Sequence, residues 1–217
     1  DRPNISLRTS RTMSFRTERL YLEFLRLTRR LSNSQIMMVL AVVVGVLAGL
    51  GTYLFEILLH GIKSGLIRWF PVDSAHVLFL IYPAVGIILA TLFVKYIVRD
   101  NISEGVTRVL HAMSRRNSRI AGHNCWTSVV GGATTIGFGG SVGPEAPIVL
   151  TGAAIGSNIG RLARLNYNHT TLLLCCGAGA ALAAIFKAPI TGVVFVLEIL
   201  MLDITAGSVI PLLIASI

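Results

Sequence analysis

The chain has 217 residues, 53% of them hydrophobic and 13% charged, with a formal net charge of +9. A soluble domain carries about a quarter charged residues, so an ordinary soluble globular domain is excluded. The basic excess is also localised, with eight arginines between Arg2 and Arg30 and five between Arg99 and Arg119, a pattern that argues against nucleic-acid binding.

Four stretches, Leu31–Phe55, Ser74–Val94, Ile120–Pro144 and Leu165–Phe186, contain no Asp, Glu, Lys or Arg. Each is near or beyond the roughly 20 residues that cross a bilayer as a helix. The composition therefore predicts an all-α polytopic membrane protein with the lipid bilayer as a partner. It divides into an N-terminal part, 1–33, and a helical membrane part, 34–217.

In chain order, the first predicted element is an amphipathic helix over 15–32. Leu20, Phe24, Leu27 and Leu31 fall on one face, and Arg16, Arg19, Glu23, Arg26 and Arg30 on the other. Such a helix lies in the interface against anionic lipid; no secretory signal pattern precedes it. A long helix follows over about 35–66, "FPVD" turns the chain, and a helix over about 76–98 returns it. Basic clusters precede and follow this pair while the intervening "SGLIRWFPVDSAH" has little net charge, which predicts a cytoplasmic N-terminus and a cytoplasmic 99–119 loop in a plasma or inner membrane. A short helix over about 103–115 leads to the polar turn "SRRNSRIAGHN". The rest is apolar but cut by Gly and Pro into pieces near 124–138, 144–162, 169–185, 189–201 and 206–217. Several are too short to span alone. Backbone breaks at membrane depth are tolerated only where buried in protein or lining a cavity, and such broken helices often aim their N-termini at an ion or substrate. The chain starts without a methionine and stops inside an apolar run, so it reads as part of a longer protein.

Gly152, Gly156 and Gly160 form one small-residue ridge, and Gly45 with Gly49 a second, both predicting close helix crossings. Cys125, Cys175 and Cys176 lie in apolar segments without metal spacing, and the five histidines are scattered. No metal, cofactor or disulfide framework is expected.

Glu145 carries the functional argument. It is the lone charge from Ile120 to Gly160, set between Pro144 and Pro147 after a glycine-rich break. Proline suits the first position of a helix, and a helix start offers free amides and a partial positive charge to anions. A carboxylate there can occupy the anion position and vacate it when protonated or when an anion competes. The structural alternative is that Glu145 caps its own helix. In a charge-free membrane segment an ionisable residue points to function.

"GGSVGPEAPIVLTGAAIGSNIGRL" resembles the G-x-E-G-P helix start of the CLC chloride channels and chloride/proton antiporters. "CCGAGAALAAIFKAPITGVVFVLEIL" resembles that family's Gly/Ala-rich segment, N-A-P-x-x-G motif and acidic helix end, and "RDNISEGVTRVL" sits where the family has G-S-G-I-P-E. The resemblance covers roughly 35–217 and is strongest over 131–200. It implies a CLC-type bundle of tilted and broken helices, with 34–217 as the first of two inverted repeats. It also implies a second half of the same subunit, a homodimer, and chloride or a similar small anion as the permeant species. Glu145 would be the gating residue, with Gly143, Glu145, Ala146 and either Asp100 or Asn101 at the anion site.

Several residues depart from the family pattern. Pro144 removes one amide donor, and Ala146 replaces the motif's second glycine. The family's anion-binding serine aligns with Asp100, where a carboxylate would repel chloride, or one residue on with Asn101, whose amide can donate. Asn101 with Glu104 equally fits a capping box. Glu198 matches the first of two adjacent acids in antiporters and is either on a proton path or structural. The second position is Ile199, which carries no proton, so channel-like or atypical proton coupling is favoured over a chloride/proton or fluoride/proton antiporter using another route. Two rival classes are weaker. An intramembrane enzyme lacks paired acids or HExxH-type spacing, and a non-transporting scaffold leaves Glu145 unexplained.

Overall fold

The computed structural model describes residues 33–69, 78–98, 105–115, 118–201 and 205–217, and every regular element among them is helical. These are α1 (Asn33–Trp69), α2 (Leu78–Phe93, running on as a π-helical turn Val94–Val98), α3 (Gly105–Arg115) and α4 (Asn124–Gly137), followed by α5 (Glu145–Leu162), α6 (Tyr167–Phe186), α7 (Pro189–Ile199) and α8 (Ala206–Ser216). The expected all-α class is the one adopted. The amphipathic segment 15–32 and the "FPVD" turn lie outside the described residues.

Helix α1 is 37 residues long and buries a stripe of Met37, Leu40, Ala41, Val44, Ala48 and Phe55. This three-to-four spacing is that of one helical face. Thr52 continues the stripe and donates its hydroxyl to the carbonyls of Ala48, 3.1 Å, and Ala181 in α6, 3.2 Å. The opposite face leaves Val39, Val42, Val46, Leu50 and Ile57 exposed. Apolar exposure on this scale marks a surface made for lipid or a partner rather than water. Helices α1 and α6 are both long and apolar enough to cross a membrane.

The core is the α5–α6 crossing, and glycine makes it. A Cβ on Gly152 would overlap the Gly177 carbonyl, one on Gly156 the Leu173 carbonyl, and one on Gly160 would lie 3.0 Å from the Thr170 side chain. Successive glycines of α5 thus meet residues that step backward along α6, as antiparallel neighbours do. Gly179 and Gly192 repeat the device between α6 and α7, where a Cβ on Gly192 would overlap the Gly179 carbonyl. The second predicted ridge is only half correct. Gly45 packs on α8, with a Cβ there 2.6 Å from the Ala215 carbonyl, but Gly49 has nothing within 4 Å. The spacing is right for a ridge, yet α8 reaches only one of its two positions.

Residues 37–217 form one compact unit; of the other, Asp1–Ile36, only the first turn of α1 is described. Helix α4 packs between α2 and α5, α3 packs on α5, and α8 closes over α6 and α7. Among the short helices, α8 has a full capping box, with Thr205 and Ser208 bonding each other's backbone.

Candidate functional site

The loop that delivers Glu145 is built from the end of α4. Gly139 adopts φ +88, a conformation glycine reaches without strain, and its amide donates to Ile136 O at 3.0 Å. Gly140 follows, donating to Thr135 O at 2.9 Å, with no room there for a Cβ. The chain then reaches Pro144, the N-cap, whose φ of −74 is already helical. Gly132 packs on Pro147, its Cβ position 2.7 Å from the proline ring, which fixes the start of α5 against α4.

The Glu145 side chain turns back over Gly143. A Cβ on Gly143 would overlap the Oε2 atom and lie 2.9 Å from the carboxyl carbon. Only a residue without a side chain leaves the carboxylate this position. Among the described residues no hydrogen bond holds it there, and it stands in the first turn of α5, where an acid complements the helix dipole. The amides of Gly143, Glu145 and Ala146 are equally without a backbone partner. Pro144 and Pro147 have no N–H to give, and the helical ladder begins with Ile148 N–H donating to Pro144 O at 3.3 Å. A half-buried carboxylate therefore lies beside three unspent donors.

A second helix start meets the first. Gly105 opens α3, and a Cβ on it would lie 2.6 Å from Ala146 Cβ and 2.9 Å from the Ala146 carbonyl oxygen. The positive ends of two helix dipoles thus converge beside Glu145, an arrangement that favours negative charge. Asp100 and Asn101 lie outside the described residues, so the choice between them rests on the sequence.

Glu198 and Ile199 end α7, and both side chains are exposed. Glu198 makes no hydrogen bond or ion pair. Val196 and Leu200 on either side of it are buried, so Glu198 lies on the outward face of the last turn of α7. Among the described residues no group of three or more His, Cys, Asp or Glu side chains assembles.

Two polar features went unread in the sequence. Asn124 and Ser128, one turn apart on α4, are buried with no partner for their side-chain polar atoms. They share a face with Gly132, so this polar seam ascends toward the start of α5. Arg119, Arg161 and Arg164 line a cavity at the α5–α6 turn. The sequence shows an Arg pair three apart at a helix end, but only the docking of α4 on α5 brings in Arg119.

Comparison with known proteins decides the family. The model of the voltage gated chloride channel family matches residues 85–217. This chain belongs to that family. It is 35% identical over 172 residues to the H(+)/Cl(-) exchange transporter ClcA of Vibrio vulnificus strain YJ016, covering 73% of this chain and 35% of the relative. Among solved structures it resembles a slow cyanobacterial Cl-/H+ antiporter, with TM-score 0.69 and 22% identity over 86% of this chain and 45% of that one. It also resembles a CLC-type fluoride/proton antiporter, with TM-score 0.66 and 28% identity over 84% and 44%. The chain thus spans about a third of the curated relative's length, and less than half of either solved chain. It is an integral membrane protein of the CLC type.

Proposed function

We propose that this chain supplies one half of the anion pathway of a CLC-type chloride transporter, with Glu145 as its gate. The observation that supports this reading is the Glu145 carboxylate folded onto Gly143, beside unspent amides where the starts of α3 and α5 meet. A chloride ion and the carboxylate compete for the same positive field, and protonation removes the competitor. Chloride is the proposed permeant species, a second half of the same subunit completes the path, and the assembled protein is a homodimer. The basic N-terminus and 99–119 loop face the cytoplasm by the positive-inside rule.

Ile199 supports loose or absent proton coupling, since the residue beside Glu198 cannot relay a proton. A second reading is favoured by the relatives' names and by the Asn124–Ser128 seam. Unpartnered buried polar groups are where internal water binds, and water along α4 would give a proton a route that avoids position 199. The deciding experiment follows chloride efflux and external pH together, from liposomes holding the full-length protein and its Glu145→Gln variant. Faster chloride flux in the variant, with its pH dependence flattened, is expected; an unchanged pH response would remove Glu145 from the gate. Proton counterflow in fixed ratio to chloride in the parent would favour the second reading.

A further inference from the structure

Away from the gate, the cavity at the α5–α6 turn is lined by Arg119, Arg161, Arg164, Leu165, Tyr167 and Thr170 and has a volume of about 510 Å³. We propose that this cavity is a binding site for a phosphate-bearing anion, of the kind carried by an anionic phospholipid headgroup or by free phosphate.

Charge is the first argument. Three arginines, all exposed, line one open cavity, while the acids among the described residues, Glu56, Glu145 and Glu198, are absent from its wall. Arg119 and Arg161 have no ion-pair partner. Arg161 has an ordinary structural role as well, since a cation in the last turn of α5 complements the helix dipole. That role does not account for Arg119, which comes from a different part of the chain.

Rigidity is the second argument. Arg119 sits between Ser118 and Ile120, both buried. The Ser157 hydroxyl donates to Ser118 O at 2.6 Å and accepts from the Ile120 amide at 3.0 Å, while Ser118 Oγ lies 2.6 Å from Thr171 Oγ1. One serine of α5 therefore holds the backbone on either side of Arg119, and a threonine of α6 holds the Ser118 side chain. Arg164 is held in the left-handed region at φ 50, with its amide donating to Arg161 O at 3.1 Å. Together with the Leu165 amide donating to Gly160 O at 3.1 Å, this is the left-handed stop that ends α5 and fixes the backbone at Arg164. On the far rim, the Tyr167 hydroxyl donates to Met113 O at 2.8 Å, tying the start of α6 to the end of α3.

Position and size indicate the ligand. Tyr167 begins α6, one of the helices long enough to span the bilayer, so the cavity opens at the membrane–water boundary where tyrosine is enriched. Basic pockets between membrane helices suit anionic headgroups, and guanidinium forks match phosphate oxygens in pairs. The volume falls in the range of about 300–1,000 Å³ typical of small-ligand sites. It exceeds what a chloride ion needs.

The test is independent of the transport reading, because it measures binding and not flux. Full-length protein in neutral detergent is treated with an arginine-selective dicarbonyl reagent, and modification at each arginine is followed by mass spectrometry. The probes are short-chain phosphatidylglycerol, short-chain phosphatidylcholine and inorganic phosphate. With phosphatidylglycerol at tenfold its Kd, Arg119 and Arg161 should be modified about tenfold more slowly, while Arg68 on α1 keeps its rate. Protection by phosphatidylglycerol alone identifies a lipid site, and equal protection by inorganic phosphate identifies a free-anion site; either supports the proposal. The triple variant R119Q/R161Q/R164Q should lose the rise in melting temperature that the protecting probe gives the parent, and R119K/R161K/R164K should keep part of it. No protection by either anion, or equal protection by phosphatidylcholine, overturns the proposal even if the variants fail to fold.

Discussion

Glu145 and Gly143 act as a pair, because the carboxylate's resting place is space that a Cβ at 143 would fill. Gly143→Ala is therefore a test of position without any change of charge. Gly143 shows none of the positive φ seen at Gly139, so alanine suits the backbone there and overall stability should change little. Overpacking costs about 1–3 kcal/mol, and a kcal/mol or two shifts a two-state equilibrium by about 5–30-fold. The carboxylate should leave its place, and chloride flux through the full-length protein should rise severalfold at neutral pH. Efflux equal to the parent's would show that this resting place does not obstruct the anion. Compared with Glu145→Gln, the alanine variant should keep a pH response, since it keeps an acid at position 145.

At the level of elements, glycine and proline mark the α4–α5 and α6–α7 breaks, whereas residues 163–166 and 200–205 contain neither. The predicted 144–162 and 189–201 pieces are observed as Glu145–Leu162 and Pro189–Ile199. Asn166 takes an extended conformation as N-cap, so α6 starts at Tyr167, two residues before the predicted 169. The π-helical turn at Val94–Val98 has no composition signal and was not read. The same holds for the basic cavity, whose members are 42 residues apart before α4 docks. Glycine spacing was informative only where a second helix arrives, and that contrast can be measured. Gly152→Ala and Gly156→Ala push a methyl group into a facing backbone carbonyl and should each destabilise the protein by at least about 1–3 kcal/mol. Gly49→Ala meets nothing within 4 Å and should be neutral or stabilising by up to about 1 kcal/mol, the helix-propensity difference. Thermal unfolding of the full-length protein in detergent should order them that way. Equal melting temperatures would mean that the α5–α6 crossing relaxes to admit a side chain.

Across the whole molecule, the proposed gate and the inner end of the proposed proton path sit on helices with opposite characters. Helix α5 is tied into the core by α3, α4 and α6, whereas α7 ends with Glu198 exposed and Ile199 40% exposed. A proton reaching Glu145 from that end must pass a residue that cannot bind it, so coupling through position 199 should be weak. Ile199→Glu supplies the missing carboxylate at a site already open enough to accept one. Adding an acid to the last turn of α7 opposes the helix dipole by about 0.3–1 kcal/mol, a small cost beside the stability of a folded domain. If the relay is what this chain lacks, Ile199→Glu should increase proton counterflow per chloride while leaving the acid activation at Glu145 in place. Adding Glu145→Gln should abolish that gain, since the relay then ends on an amide. Simultaneous recordings of chloride and external pH would show both effects. If the parent already exchanges protons in fixed ratio and Ile199→Glu adds nothing, the proton travels elsewhere. Asn124→Leu, which removes the polar head of the α4 seam, should then be the substitution that uncouples the two ions.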